Sequence, residues 1–143
     1  MANRPSERIT STTPPGFERI TKSVKIARTD TTAFEAFVVP KGAVLSGSWV
    51  IGQTASDAGT TATISVGSNP GTTNEFLAAF DVKGSTGAGF NAAGAKQGTS
   101  LGTQLTADTL IKAKYTETGT ASTTGGDWLV LVEYYFPQPG NSW

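Results

Sequence analysis

The chain contains no cysteine and no histidine. The first absence excludes disulfides and thiolate chemistry and leaves the redox compartment unreadable. The second removes the commonest general base and the commonest metal ligand, and with them any Ser-His or Cys-His nucleophile. Charge is scarce as well: Asp, Glu, Lys and Arg make up 15% of the 143 residues, and eleven basic side chains cancel eleven acidic ones. No global field points to nucleic acid or to a membrane surface, and neither is expected as a partner. No apolar run approaches the ~20 residues of a membrane-spanning helix. The N-terminus, Met1-Ala-Asn-Arg-Pro-Ser-Glu-Arg8, has no apolar stretch of the secretory kind, so synthesis as a soluble protein in the cytosol of the producing cell is expected.

Thr, Ser, Gly and Ala are abundant, and the hydrophobic residues, 37% of the chain, gather in runs. That is the composition of a Thr-rich β protein with small-residue loops. One domain of this length buries roughly 70% of its unfolded surface and needs neither disulfide nor metal to hold it. The most demanding stretch is Asp127 to Phe136, β-branched and aromatic, with Gly125-Gly126 before it and Pro137 after it. It reads as a strand with stops at both ends. One face carries Trp128, Val130, Val132, Tyr134 and Phe136; the other carries Leu129, Leu131, Glu133 and Tyr135. A sandwich core covers only one of these faces, so the second apolar stripe calls for a loop, the N-terminal arm or another protein.

Residues 1–16 lack any period and end in Thr12-Thr13-Pro14-Pro15-Gly16, which predicts an extended arm ahead of a single domain over 17–143. From Phe17 to Ala27, Ile20, Lys22, Val24 and Ile26 share one strand face. The first 28 residues hold six basic and two acidic side chains. This stretch, with Arg19 and Lys22, is the candidate contact for an acidic partner surface, and Arg4 and Arg8 would carry the same chemistry along the arm. Ala33 to Val39 is a strand in which Phe37 and Val39 share the face of Glu35, again apolar on both sides. A tight Pro40-Lys41-Gly42 connection leads to Ala43–Ile51, with Leu45, Gly47, Trp49 and Ile51 alternating against Val44, Ser46, Ser48 and Val50. Thr60 to Gly67 alternates with Ala62, Ile64 and Val66 inward. In Asn74–Val82 the spacing of Phe76, Leu77 and Phe80 predicts one or two helical turns. A Gly/Ala-rich loop over about 83–107 holds six glycines, with a short strand near Ser100–Leu105. Thr109 to Thr116 places Ile111, Ala113 and Tyr115 opposite Leu110, Lys112 and Lys114. Six or seven short strands and at most one short helix predict an all-β protein, an antiparallel β-sandwich of jelly-roll or Greek-key type. Trp49 or Phe34 is expected to meet Trp128 or Tyr134 across the layers.

Catalytic chemistry finds little support. Gly84-Ser-Thr-Gly-Ala-Gly89 lacks the following helix that a phosphate-binding loop requires, because Phe90-Asn-Ala-Ala-Gly-Ala is a poor helix former. Glu35 and Glu133 are the best carboxylate pair for glycoside hydrolysis, but solvated strand carboxylates explain them as well. Asp57 and Asp127 flank Gly-rich turns without the dense Asp/Asn spacing of a calcium loop. No motif supports a Ser-Lys pair. No catalytic residue, cofactor or metal is expected.

Four segments together carry a resemblance: Val38-Val-Pro-Lys-Gly-Ala-Val-Leu45, Thr60-Thr-Ala-Thr-Ile-Ser-Val-Gly67, Phe76-Leu-Ala-Ala-Phe80 and Leu129-Val-Leu-Val-Glu-Tyr-Tyr135. The chain resembles the head decoration (cement) proteins of tailed bacteriophages over about residues 33–136. The resemblance implies a jelly roll, a place on the capsid exterior, a dimeric or trimeric state, and the major capsid protein as partner. No catalytic residues come with it, and the Gly-rich segment 83–107 departs from its pattern. The candidate partner-contact residues are Arg4, Arg8, Arg19, Lys22, Phe37, Val39, Leu129, Leu131 and Tyr135. A tail- or fibre-associated virion protein and a carbohydrate-binding β-sandwich remain as alternatives.

Overall fold

A strand that is apolar on both faces belongs where both its edges and at least one face are covered. In the computed structural model, which describes residues 18–52, 54–68, 75–83 and 100–137, β7 (Trp128–Tyr135) takes the centre of a three-stranded sheet. β1 (Arg19–Ile26) pairs with one of its edges and β3 (Val44–Ile51) with the other, both antiparallel. A four-stranded sheet lies over it in the order β2-β6-β4-β5, formed by β2 (Phe34–Val39), β4 (Thr61–Gly67), β5 (Leu77–Asp81) and β6 (Thr109–Thr118). All its pairings are antiparallel, and there is no helix among the described residues. The arm over 1–16, most of the Gly-rich loop (84–99) and the tail beyond Pro137 lie outside the described residues.

The order β1-β7-β3 over β2-β6-β4-β5 is a jelly roll of seven strands. The eighth place, beside β3, is partly taken by the chain between Gly102 and Leu105. Gly102 N–H donates to Leu45 O at 2.8 Å, Leu105 N–H to Ala43 O at 2.8 Å and Gly42 N–H to Leu105 O at 2.9 Å. The short strand expected near Ser100–Leu105 is thus a single bridge, Val44 to Gln104. Pro40-Lys41-Gly42 does join two strands, but it carries the chain from one sheet to the other rather than closing a hairpin.

The core between the layers is built from Ile26, Val39, Leu45, Val50, Ile64, Val66, Leu77, Ile111, Val130 and their neighbours. Its largest members are Trp128 and Tyr115, both fully buried, with ring centroids 5.4 Å apart and planes at 14°. The cross-layer aromatic partner is therefore Tyr115, not Trp49 or Phe34. Trp49 faces outward, Phe34 packs at the margin of the core, and Tyr134 meets Phe136 edge-on at 5.9 Å.

Three β-bulges correct the face assignments. Glu35 and Phe37 oppose Lys112 and Ile111, so Ala36 is an extra residue; beyond it Phe37 and Val39 turn inward while Val38 faces out. Leu45 and Gly47 oppose Tyr134 and Glu133, so Ser46 is extra, and Gly47, Trp49 and Ile51 move to the outer face, away from Leu45. Ile64 and Val66 oppose Phe80 and Leu77, which leaves one extra residue in β5. Leu77 and Phe80 both reach the core from a strand, and their helix-like spacing is that bulge, not the helical turns expected over Asn74–Val82.

Candidate interaction surface

Register defines the outer face of the three-stranded sheet row by row. Leu129 lies between Lys25 and Ile51, Leu131 between Ser23 and Trp49, Glu133 between Thr21 and Gly47, and Tyr135 beside Arg19. The middle of this face is a block of four apolar side chains, Trp49, Ile51, Leu129 and Leu131, with Ile51 46% and Leu129 39% exposed. Gly47 sets the pose of the indole: a Cβ there would stand 2.5 Å from the Trp49 ring, so only glycine lets the ring lie across the strand.

Ion pairs mark both ends of the block. Arg19 meets Glu133 at 2.6 Å, with its guanidinium 5.7 Å from the Tyr135 ring centroid, and Ser46 Oγ donates to the same carboxylate at 2.7 Å. Lys25 meets Asp127 at 2.8 Å. These pairs are solvated and contribute little stability, but they leave the face electrically balanced. The outer face of the four-stranded sheet differs: its rows hold Glu35, Lys112, Lys114, Thr61, Thr63, Ser65, Thr116 and Thr118, with Val38 and Leu110 as its apolar members.

A second polar assembly closes one end of the sandwich. The Tyr115 hydroxyl donates to Glu117 Oε2 at 2.8 Å, so the Ser56 hydroxyl at 2.7 Å is the donor of their shared bond. Ser122 N–H also donates to Glu117, at 3.2 Å, while the Arg28 guanidinium holds Ser122 O at 2.7 Å. Burial pushes the Tyr115 phenol above its ordinary value. Hydrogen bonds from Ser122 first, then Tyr115, hold Glu117 below the usual carboxylate range. Asp57 accepts Thr124 N–H at 2.8 Å, Thr123 N–H at 2.8 Å and the Thr123 hydroxyl at 2.7 Å. Those bonds, led by Thr124, bring it far below an ordinary carboxylate. The assembly ties the 54–58 and 119–126 connections to β6, which is a structural task.

The sequence-derived candidates divide between the two surfaces and the core. Arg19, Leu129, Leu131 and Tyr135 come together on the outer face of the three-stranded sheet. Lys22 is exposed on β1 but occupies the inward row, opposite Val132, at the open side of the sandwich. Past the bulge at Ala36 both Phe37 and Val39 turn inward: Val39 is fully buried, and Phe37, partly buried, packs against the core. Arg4 and Arg8 lie outside the described residues. Trp49 and Ile51 complete the patch and were hidden by the bulge at Ser46. Glu35 and Glu133 stand on opposite outer faces of the sandwich and cannot share a substrate. Asp57 is engaged by threonines and Asp127 by Lys25; among the described residues no three Asp or Glu side chains gather to hold a metal.

No family model and no curated protein matches the sequence. The fold does match solved structures. A chain of the cyanophage Pam1 capsid asymmetric unit aligns at TM-score 0.51 and 22% identity, over 95% of this chain and 99% of that one. A chain of the acid-stable capsid of the Helicobacter pylori bacteriophage KHP30 aligns at TM-score 0.52 and 14% identity, over 84% and 89%. The chain is therefore similar, nearly end to end, to jelly-roll-type sandwiches found in phage capsid structures, and at these identities the likeness is one of fold.

Proposed function

We propose that this chain is a non-enzymatic structural protein of a phage virion, a decoration protein that binds the outer capsid surface and ties neighbouring major capsid subunits together. The observation that carries the reading is the end-to-end match, 95% of this chain against 99% of its counterpart in the Pam1 capsid. The separation of Glu35 from Glu133 and the lack of a His or Cys nucleophile fit a protein without chemistry of its own. A dimeric or trimeric state and a place on the capsid exterior complete the proposal. The basic approach to β1, from Arg4 and Arg8 to Arg19 and Lys22, would meet carboxylates of an adjacent subunit.

Two experiments test this. Mass spectrometry of purified virions should find the protein at a copy number commensurate with the capsid lattice. The recombinant chain should also co-sediment with capsids lacking it, and loss of residues 2–16 should weaken that attachment and reduce its dependence on salt. Presence only in tail fractions would move the protein to the tail or fibre. The partly exposed, outward-facing Trp49 keeps a carbohydrate-binding reading in view, although Glu133, one row away on the same face, is already engaged by Arg19 and Ser46. Saturable glycan binding without capsid binding would establish that alternative.

A further inference from the structure

We infer that the free edge of β1 is an acceptor for an extended, acidic strand of a partner protein. Under the decoration reading, on which this inference rests, a capsid subunit supplies that strand.

Each sheet of an open sandwich ends in strands whose outer backbone groups want a partner. Among the described residues, three of the four such edges are blunted. The edge of β3 is covered by the chain between Gly102 and Leu105. β2 is interrupted by its bulge at Ala36. β5 has only 5 residues and a bulge of its own. β1 differs, because all 8 of its residues pair with β7 in unbroken register. No described residue hydrogen-bonds the other side of β1. Every second residue of such a strand turns its N–H and C=O that way, which leaves half a ladder ready-made.

The strand also stands clear of the opposite sheet. Arg19 to Ser23 are all exposed, Val24 is partly buried, and only Ile26 is fully buried. The inward row runs Ile20, Lys22, Val24, opposite Tyr134, Val132 and Val130. A strand added at this edge would meet an apolar, a cationic and an apolar side chain in succession. Main-chain bonds would supply its affinity, and that alternation its specificity.

Charge selects the occupant. β1 carries Arg19, Lys22 and Lys25 and no acidic residue. Arg19 and Lys25, on the outer row, are already paired with Glu133 and Asp127. Lys22 meets no carboxylate among the described residues. An inward-pointing lysine on an edge repels indiscriminate pairing, and a second β1 would bring these cations against their own copies. A strand that sets a carboxylate beside Lys22, with apolar neighbours beside Ile20 and Val24, removes that repulsion. One side chain thus turns most strands away and admits one kind.

Two probes test this on the full-length chain: capsids lacking the protein, and the capped peptide Thr-Val-Thr-Glu-Thr-Val-Thr. The Val, Glu and Val of the peptide match the inward row of β1 in either strand direction. On capsids, backbone hydrogen exchange should slow in β1 and stay unchanged in β2 and β5. Lys22→Glu alters an exposed side chain and should weaken co-sedimentation by about tenfold. In NMR titrations the peptide should shift the amides of β1, and its Glu-to-Lys version should bind severalfold more weakly. Lys22→Glu should reverse that preference, which a variant that had merely lost its fold cannot do. Capsid binding with β1 exchange unchanged and no effect of Lys22→Glu overturns the inference and leaves the decoration role standing. Peptide binding at β1 without any capsid binding supports the edge as an acceptor and defeats the decoration role alone. If neither capsid nor peptide engages β1, both fall.

Discussion

Tyr115 lies flat on Trp128, 5.4 Å between ring centroids, and at the same time its hydroxyl reaches Ser56 and Glu117. One side chain thus joins the core of the sandwich to the polar assembly that closes its end. Tyr115→Phe keeps the stack and removes the hydroxyl, leaving a buried serine without its partner. Equilibrium urea unfolding should show a loss of about 1–3 kcal/mol with an unchanged slope. An unaltered midpoint would mean that the hydroxyl contributes nothing beyond what solvent supplies.

Acid should loosen the same end. Asp57 and Glu117 both titrate below their ordinary values in the folded chain. Their contribution is whole above the unfolded-state pKa of about 4 and declines as pH falls through it toward the lower folded-state values. The melting temperature should therefore drop on acidification below about pH 4, and less steeply in Asp57→Asn. Tyr115 works in the opposite direction: its raised pKa keeps its contribution intact below about pH 10 and loses it as pH climbs further. Tyr115→Phe should remove that alkaline loss. Parallel acid and alkaline profiles for wild type and both variants would refute these assignments.

Neighbouring residues on β2 should respond oppositely to the same change. Val38 is 50% exposed and Val39 is fully buried, because the bulge at Ala36 resets the alternation. Val38→Lys should alter stability by no more than about 0.5 kcal/mol, whereas Val39→Lys places an ammonium in the core and should prevent folding. Thermal melts followed by circular dichroism distinguish the two. Equal tolerance would mean that the strand runs without its bulge.

That bulge also explains how much could be read from the residues alone. The strands were legible wherever alternation ran unbroken: Ala62, Ile64 and Val66 in β4, Ile111, Ala113 and Tyr115 in β6, and Trp128, Val130, Val132 and Tyr134 in β7 face inward as their spacing predicts. A bulge inserts one residue without any signature in composition. At Ala36 it made β2 look apolar on both sides, at Ser46 it put Trp49 on the wrong face, and in β5 it gave Leu77 and Phe80 the spacing of a helix. Half of the apolar patch was visible in Leu129 and Leu131; the other half, Trp49 and Ile51, lay on a strand whose period had slipped. The Tyr115 assembly was beyond reach because Ser56, which shares the tyrosine hydroxyl with nearby Glu117, is 59 positions away in the chain.

Glycines with the same backbone preference should differ in cost. Gly42 and Gly125 both have positive φ, 90° and 102°. Around Gly42 a Cβ would meet nothing, whereas at Gly125 it would stand 2.6 Å from Ser56 Cα and 2.7 Å from Ala55 O. Gly42→Ala should cost about 1 kcal/mol, and Gly125→Ala about 2–3 kcal/mol or more, since backbone must move as well. Chemical denaturation of the two variants side by side checks the order, and a reversal would contradict the packing at Gly125.

The placement of β7 between β1 and β3 governs when the molecule can come into being. Neither flanking strand is hydrogen-bonded to the other; each meets its partner in β7, more than 75 positions later. While the chain is being synthesised, the first half of this sheet has nothing to pair with, and loop closures of that length are slow to form. Formation of this sheet must then be a late event that begins once β7 is free. A chain stopped before Trp128 would lose the common partner of two strands, not merely one strand, and a ribosome-stalled version should stay protease-sensitive until Tyr135 has cleared the exit tunnel.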